Sequence, residues 1–296
     1  MPKPKRTALK KSLYGDVISR VFELHFKPGC KRFDFARTDL LVAMQNMGLD
    51  LTGDEKTVAR NIGDIIYSFR FRRDFPETIL KTAPSGKMWI ILGRGDAKYE
   101  FRLITEPKLA MDEALPVSKL HDATPEIVRR FRLSDEQAVL ARIRYNRLVD
   151  LFCRCVAHSL QNHLRTKVEG VGQIELDELY VAANRQGEHF VIPLQAKSAG
   201  DRVGVSQLLQ DLEYCRTAHP DFRARPLAAQ LVKRTIDGEE VEAIAMFEFG
   251  CTVSDDDVTI TKLNERHFAL LPASQVARAD FEKAREFSIA RNETGP

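Results

Sequence analysis

Two strand-like segments joined by a short polar turn constrain the fold of this chain more than any other feature. Residues 172–183 and 190–197 carry apolar side chains in patterns typical of β-strands, the second as an almost continuous apolar run. Residues 184–188 between them, Asn-Arg-Gln-Gly-Glu, are polar and contain glycine, which favours a tight reversal of the chain. The pattern therefore predicts two adjacent strands joined as a hairpin in the C-terminal half.

Helical and strand-like patterns surround this hairpin. Apolar residues at helical spacing predict one long helix over residues 134–167 and another over residues 205–217. The remaining predicted elements are strands over residues 227–236, 241–249 and 258–271 and a polar helix over residues 274–290. This mixture predicts an α/β (α+β) domain over residues 135–296.

The first 108 residues show a different order, in which helices precede a hairpin. The predicted elements are helices over residues 16–26, 37–47 and 55–69 and strands over residues 88–92 and 98–104. A Gly-Arg-Gly-Asp turn separates the two strands, as in a hairpin. Three helices followed by a hairpin resemble a winged helix-turn-helix, so we predict a winged-helix DNA-binding domain over residues 1–108.

Charge also divides the chain. Residues 1–108 carry 21 Lys and Arg against 13 Asp and Glu, whereas residues 109–296 carry 24 against 29. Three prolines and little periodicity over residues 105–134 predict a linker over residues 109–134. A basic first domain and a mildly acidic second domain suit a DNA reader joined to a metal-binding catalyst.

Basic side chains fall where a winged helix would meet DNA, on and directly after its third helix and at the tip of its hairpin. Guanidinium and ammonium groups there would neutralise phosphates and reach base edges. The predicted DNA-binding residues are Lys56, Arg60, Arg70, Arg72, Arg73, Arg94 and Lys98. Two other interpretations stay open: a small α+β domain with a charged solvent-exposed face, and a winged helix that binds protein.

The composition sets the class of protein. With 44% hydrophobic and 29% charged residues, the chain can bury a sizeable core. No run of about 18 apolar residues predicts a membrane span, and no apolar export signal follows the basic N-terminus. Five cysteines without a metal-binding spacing predict buried free thiols in a reducing cytoplasm.

The predicted hairpin brings together residues that suit phosphodiester hydrolysis. Period-two alternation places Glu175 and Asp177 on one face of the first strand, and Gln195 and Lys197 on one face of the second. Such hydrolysis needs a carboxylate to hold a divalent metal and a cation to orient or activate water. An acid on one strand and a lysine on the next supply both.

In these residues the sequence resembles the PD-(D/E)xK nuclease superfamily, the restriction-endonuclease-like fold, over roughly residues 135–250. The resemblance implies an αβββαβ core in which Asp177 binds the metal and Lys197 is the catalytic lysine. It also implies that the backbone carbonyl of Ala196 is a metal ligand. The expected cofactor is Mg²⁺, with Mn²⁺ able to substitute.

Gln195 departs from that family, which has Asp or Glu two residues before the lysine. An amide oxygen can coordinate a metal but brings no negative charge, so another carboxylate is expected to compensate. The local candidates are Glu175, Glu178 and Glu169. The predicted metal ligands are Asp177, Ala196, Gln195 and Glu178.

The helix after the lysine adds a second likeness. Gln210 and Tyr214 form a Q-x-x-x-Y pair on one helical face, as in the branch of the superfamily related to helicase-linked exonucleases. Gln207 is an equally good candidate on that face, and ordinary polar helix surface is the alternative. The predicted catalytic residues are Asp177, Gln195, Lys197, Glu175 and Gln210.

Together these features predict a Mg²⁺-dependent endonuclease of the type II restriction class that cuts double-stranded DNA. The resemblance further implies a homodimer, and a cognate DNA methyltransferase would fit a restriction role. One alternative is a DNA-binding regulator whose nuclease-like domain is degenerate and serves dimerisation. Another is an RNA- or protein-binding module without catalysis.

Overall fold

The computed structural model describes residues 6–49, 62–130, 135–199, 203–254 and 257–293. Helices account for 33% and strands for 40% of the structure, so the predicted α/β class is confirmed. Two sheets are present in the described ranges, a three-stranded sheet in the N-terminal part and an eight-stranded sheet in the C-terminal part.

Helices pack on the three-stranded sheet in the N-terminal part. Its elements are α1 (Arg6–His25), β1 (Arg32–Ala36), α2 (Arg37–Asn46), α3 (Ile62–Phe71), α4 (Glu77–Leu80), β2 (Lys87–Gly93) and β3 (Lys98–Thr105). The strands are antiparallel in the order β1-β3-β2. Phe22 of α1 joins helix to sheet, since its ring centroid lies 5.1 Å from Phe101 and 5.3 Å from Trp89.

The N-terminal predictions hold for the second helix and for the hairpin strands, which are α2, β2 and β3. The first helix begins earlier than predicted, at Arg6. Strand β1 was not predicted, although its residues Arg32-Phe-Asp-Phe35 alternate polar and apolar side chains as a strand does. The third predicted helix is described only from Ile62 onward, and Lys56 and Arg60 lie outside the described residues.

Helices cover both faces of the large sheet. Its elements, in chain order with the neighbouring helices, are β4 (Val117–His121), α5 (Glu126–Arg130), α6 (Asp135–Tyr145), α7 (Leu148–Cys153), β5 (Val156–Val168), β6 (Gly172–Ala183), β7 (His189–Lys197), α8 (Val205–Ala218), β8 (Arg223–Ala224), β9 (Leu227–Ile236), β10 (Glu239–Val253), β11 (Val258–Leu271) and α9 (Arg278–Glu293). The strand order is β4-β11-β10-β9-β7-β6-β5, and β8 pairs with β7. Ile143 of α6 packs against Ile192 on one face, whereas Leu208 of α8 packs against Ala228 on the other.

The predicted long helix over residues 134–167 is wrong in its second half. Helix α6 ends at Tyr145, α7 covers six residues, and β5 then pairs with β6 along its length. Arg147 and Arg154 interrupt helical geometry with φ angles of 53° each. Pairing with β6, the next strand along the chain, outweighs the local helical spacing. The resulting order α6-β5-β6-β7-α8-β9, with α7 and β8 as short additions, gives the helix, three strands, helix and strand implied by the resemblance.

The predicted linker over residues 109–134 contains part of the large sheet. Strand β4 pairs in parallel with β11 at its edge, with Val117 opposite His267. Its sequence Val117-Ser-Lys-Leu-His121 does not alternate apolar and polar residues, so the local pattern does not predict a strand. Among the described helices, none is both long enough and apolar enough to cross a membrane.

Candidate functional site

The β6–β7 hairpin brings Asp177 next to the backbone of the lysine-bearing strand. Asp177 Oδ2 accepts a hydrogen bond of 2.9 Å from the backbone N–H of Ala196. Strand β7 also pairs in parallel with β9, with Lys197 opposite Gln230, so the strand is held on both sides. The predicted proximity of Asp177 to the segment that carries Lys197 is present.

The environment of Asp177 disfavours its charge. Burial raises the pKa of Asp177, and the nearby charge of Glu175 raises it further. The Ala196 N–H and the positive charge of Lys197 act in the opposite direction without cancelling the increase. A partly buried carboxylate of raised pKa beside an ammonium group is the kind of arrangement found at functional sites.

Two side chains from separate helices hold Lys197. Its Nζ donates a hydrogen bond of 3.3 Å to Gln207 Oε1 of α8 and lies 3.9 Å from Glu136 Oε1 of α6. The Lys197 side chain is 14% exposed, so its amine is mostly shielded but still borders the cleft described below. Glu136 was not predicted, because the sequence gives no sign that α6 crosses the end of β7.

Gln195 contacts a buried carboxylate that was also not predicted. Gln195 is fully buried, and its Nε2 donates to Asp211 Oδ2 of α8 at 3.3 Å and to the carbonyl of Gly204 at 3.5 Å. Asp211 is only 2% exposed. Burial raises the pKa of Asp211 well above its usual range, and the charge of Asp177 raises it further. Gln195 Oε1 and Asp211 Oδ1 are both buried without a hydrogen-bond partner.

The other predicted acids lie elsewhere. Glu178 points to the opposite face of β6, where Arg144 donates to it at 3.0 Å and Ser159 at 2.6 Å. Its prediction as a metal ligand beside Asp177 is therefore wrong, because adjacent strand residues point to opposite faces. Glu175 shares the Asp177 face and forms an ion pair with Arg165 at 2.8 Å. Glu169 is exposed in the turn after β5.

The glutamines and tyrosine of α8 have separate contacts. Gln207 reaches Lys197, whereas Gln210 donates to the Gln173 carbonyl at 3.0 Å and accepts from Arg70 at 3.1 Å. Tyr214 packs edge-on to the ring of His219, with 5.8 Å between centroids. Of the three, Gln207 is the one that touches the lysine.

A cleft of about 1790 Å³ separates the two parts of the molecule at this site. Asp177, Lys197 and Gln207 line it from the C-terminal side. Tyr67 of α3 and Arg72, which follows that helix, line it from the N-terminal side. Its volume exceeds that of typical small-molecule pockets, so it has room for a large ligand.

Some of the predicted DNA-binding side chains are exposed to solvent, whereas others contact the rest of the protein. Arg72 is exposed and stacks on Tyr67, with 4.7 Å between its guanidinium carbon and the ring centroid. Arg73 is half-buried over the Tyr14 ring at 5.5 Å. Lys98 is exposed at the start of β3.

Arg70 and Arg94 were predicted to contact DNA, but in the structure both guanidinium groups bond to other side chains of the protein. Arg70 is turned inward to Gln210, and burial lowers its pKa to about 10. Arg94 donates three hydrogen bonds to the buried carboxylate of Glu100, two of 2.9 Å and one of 3.1 Å. The hairpin turn itself packs against the C-terminal part, because a Cβ added to Gly93 would lie 2.0 Å from the Val171 carbonyl oxygen.

All five cysteines are free thiols, of which Cys153 and Cys215 are buried and the other three are half-buried. Within the described ranges, no three His, Cys, Asp or Glu side chains are grouped closely enough to hold a metal ion. The site instead combines two carboxylates, Asp177 and Asp211, with amide oxygens. No protein-family model matches the chain, and no curated protein matches it.

Proposed function

We propose that this protein is a divalent-metal-dependent nuclease that hydrolyses DNA at Asp177 and Lys197. The observation that carries the proposal is the placement of these two side chains at one cleft from neighbouring strands, with Asp177 bonded to the Ala196 N–H. The resemblance to the PD-(D/E)xK superfamily points to the same residues. Mg²⁺ or Mn²⁺ is the proposed cofactor.

Each residue has a definite task in this proposal. Asp177 uses Oδ2 for the Ala196 N–H and keeps its other oxygen for a cation. A bound divalent ion would polarise the phosphate and lower the pKa of water. Gln207 and Glu136 hold the ammonium of Lys197, which would then neutralise the phosphate and orient the attacking water.

The N-terminal part is the proposed DNA reader. Its described order of helix, strand, three helices and hairpin, with sheet order β1-β3-β2, supports the winged-helix proposal. Tyr67 of α3 and Arg72, just after that helix, border the same cleft as Asp177, which would let one nucleic acid touch both parts. Double-stranded DNA, a homodimer, a cytoplasmic setting and a cognate methyltransferase remain proposals of the restriction-type role.

One observation favours a second function, that of a DNA-binding regulator which does not cut. Gln195 is neutral where the family has an acid, so a site that relied on this position would bind metal weakly. In that case the domain that contains the large sheet would serve dimerisation. Cleavage separates the two functions directly.

The test is incubation of the purified protein with supercoiled plasmid and linear duplex DNA in Mg²⁺, Mn²⁺ or EDTA. Lys197→Ala removes the ammonium, and Lys233→Ala is its control, because Lys233 is 74% exposed and pairs with Glu240. We expect metal-dependent cleavage by the wild type and Lys233→Ala but not by Lys197→Ala. Tight duplex binding with no cleavage by any form would reject the nuclease in favour of the regulator.

A further inference from the structure

We infer that Asp211 of α8 and the side-chain oxygen of Gln195 complete the metal site of Asp177. This inference rests on the proposed function and names the acid that replaces the missing one. The three side chains reach the site from β6, β7 and α8, so none of the predicted local acids is needed.

Two buried oxygens without partners carry the inference. Gln195 Oε1 and Asp211 Oδ1 accept no hydrogen bond, although Gln195 is fully buried and Asp211 is 2% exposed. Buried polar atoms are nearly always satisfied, so such a pair requires an explanation. A cation bound between them would supply the missing electrostatic partner.

The hydrogen bonds that are present fix which atoms remain for a ligand. Gln195 Nε2 is directed to Asp211 Oδ2 and to the Gly204 carbonyl, which leaves Oε1 as the atom of Gln195 without a partner. Asp211 Oδ2 is used by the same bond, which leaves Oδ1. Asp177 Oδ2 is used by the Ala196 N–H. The set offered to a cation is therefore one oxygen from each side chain, the ligand type that Mg²⁺ and Mn²⁺ prefer.

Charge supports the same assignment. Asp177 and Asp211 bond to adjacent residues of β7, Asp177 to the Ala196 N–H at 2.9 Å and Asp211 to Gln195 Nε2 at 3.3 Å. Asp177 and Asp211 together provide two negative charges. A member of the family with the usual acid in place of Gln195 would have the same number. Lys197 does not neutralise them by direct contact, since its Nζ is directed to Gln207 and Glu136.

The test measures metal binding without DNA, by titration of the full-length protein with Mn²⁺ and detection of free Mn²⁺ by electron paramagnetic resonance. Asp211→Asn keeps the shape of the side chain and removes its charge. Its control is Asp237→Asn, since Asp237 is 73% exposed in the β9–β10 turn. Circular dichroism melting of each variant establishes that it is folded.

We expect Asp211→Asn to weaken Mn²⁺ binding by about tenfold or more, as Asp177→Asn does, because affinity follows the number of charged ligands. Asp237→Asn should bind as the wild type does. Gln195→Glu in the Asp211→Asn background should restore binding by returning the lost charge to the same site. Wild-type affinity in folded Asp211→Asn, or no saturable binding by the wild type at millimolar Mn²⁺, overturns the inference.

These outcomes are distinct from those of the proposed function. A wild type that binds Mn²⁺ through Asp211 but cuts no nucleic acid upholds the metal site and rejects the nuclease. A wild type that cuts DNA, with Asp211→Asn equal to it in both cleavage and Mn²⁺ binding, upholds the nuclease and rejects the role of Asp211.

Discussion

Arg70 and Gln210 join the two parts of the molecule, with Arg70 Nη2 donating to Gln210 Oε1 at 3.1 Å. Gln210 in turn donates to the Gln173 carbonyl of β6, the strand that carries Asp177. Arg70 is thus connected to the candidate site through one helix. The sequence analysis predicts that Arg70 contacts DNA, whereas in the structure its guanidinium makes a contact within the protein.

Replacing Arg70 and Arg72 should separate these two roles. Arg70→Ala removes a charged hydrogen bond at the buried contact and should destabilise the fold by about 1–3 kcal/mol. Arg72→Ala removes an exposed cation and should reduce the salt-dependence slope of DNA binding by about one. Urea denaturation and DNA affinity at several salt concentrations measure both effects. An equal loss of slope in Arg70→Ala would show that Arg70 contacts phosphate after all.

Asp211→Asn should stabilise the protein when metal is removed. Burial raises the pKa of Asp211 in the folded state, so the folded protein holds this proton more tightly than the unfolded chain does. Stability from this group therefore falls as pH rises above about 4. In EDTA at pH 8 the free energy of unfolding of the variant should exceed that of the wild type by about 1–3 kcal/mol. This difference should shrink toward pH 4. Urea unfolding at pH 5 and pH 8 measures it, and a less stable variant at pH 8 would contradict the assignment.

Asp257→Asn should have the opposite pH dependence. Partial burial favours the neutral form of Asp257, but hydrogen bonds from Lys87 at 2.9 Å and Thr105 at 2.7 Å outweigh it and lower the pKa to about 2. Its stabilisation is present above about pH 4 and is lost as pH falls through 2. We expect a loss of about 1 kcal/mol at pH 7 after allowance for solvent screening. The difference in the free energy of unfolding between the wild type and the variant should be smaller at pH 3 than at pH 7. The same difference at both pH values would exclude the ionised carboxylate as its source.

Gly93→Ala should disturb the packing of the hairpin turn against the C-terminal part. Its new Cβ would lie 2.0 Å from the Val171 carbonyl, and backbone on both sides has to move. The expected cost is about 1–3 kcal/mol. Gly15→Ala is the control, because its Cβ would meet Pro76 Cγ at 3.5 Å and the site is helical, which predicts a gain of about 0.5–1 kcal/mol. Equal thermal stability of the two variants would show that the turn does not pack closely.

The sequence predicts the strands near the site well. Strand β6 has the predicted bounds and β7 begins one residue early, because period-two alternation and a polar turn are local signals. Strand β5 was read as helix, since Val156 and Leu160 at helical spacing are in fact exposed on an edge strand. That error arises because β5 is held extended by pairing with the next strand, β6, and the spacing of apolar residues does not report strand pairing.

In the candidate site, too, the sequence predicts what depends on local patterns and misses what depends on packing between elements. The proximity of Asp177 to the strand that carries Lys197 was predicted, because both residues lie on the strands of one hairpin. Asp211 was missed because its contact with Gln195 depends on how α8 packs against β7, sixteen residues farther along the chain. A signal existed in the sequence, since Asp211 lies one helical turn after Gln207, on the face already singled out.

The most direct measurement is the rate of plasmid cleavage in Mg²⁺ by the wild type, Asp177→Asn and Asp237→Asn. The two variants make the same chemical change, and Asp237 has a φ of 52°, which asparagine tolerates. We predict cleavage by the wild type and Asp237→Asn, and at least a hundredfold slower cleavage by folded Asp177→Asn, about 2.7 kcal/mol of lost transition-state stabilisation. Cleavage by Asp177→Asn at the wild-type rate would contradict the assignment of this site.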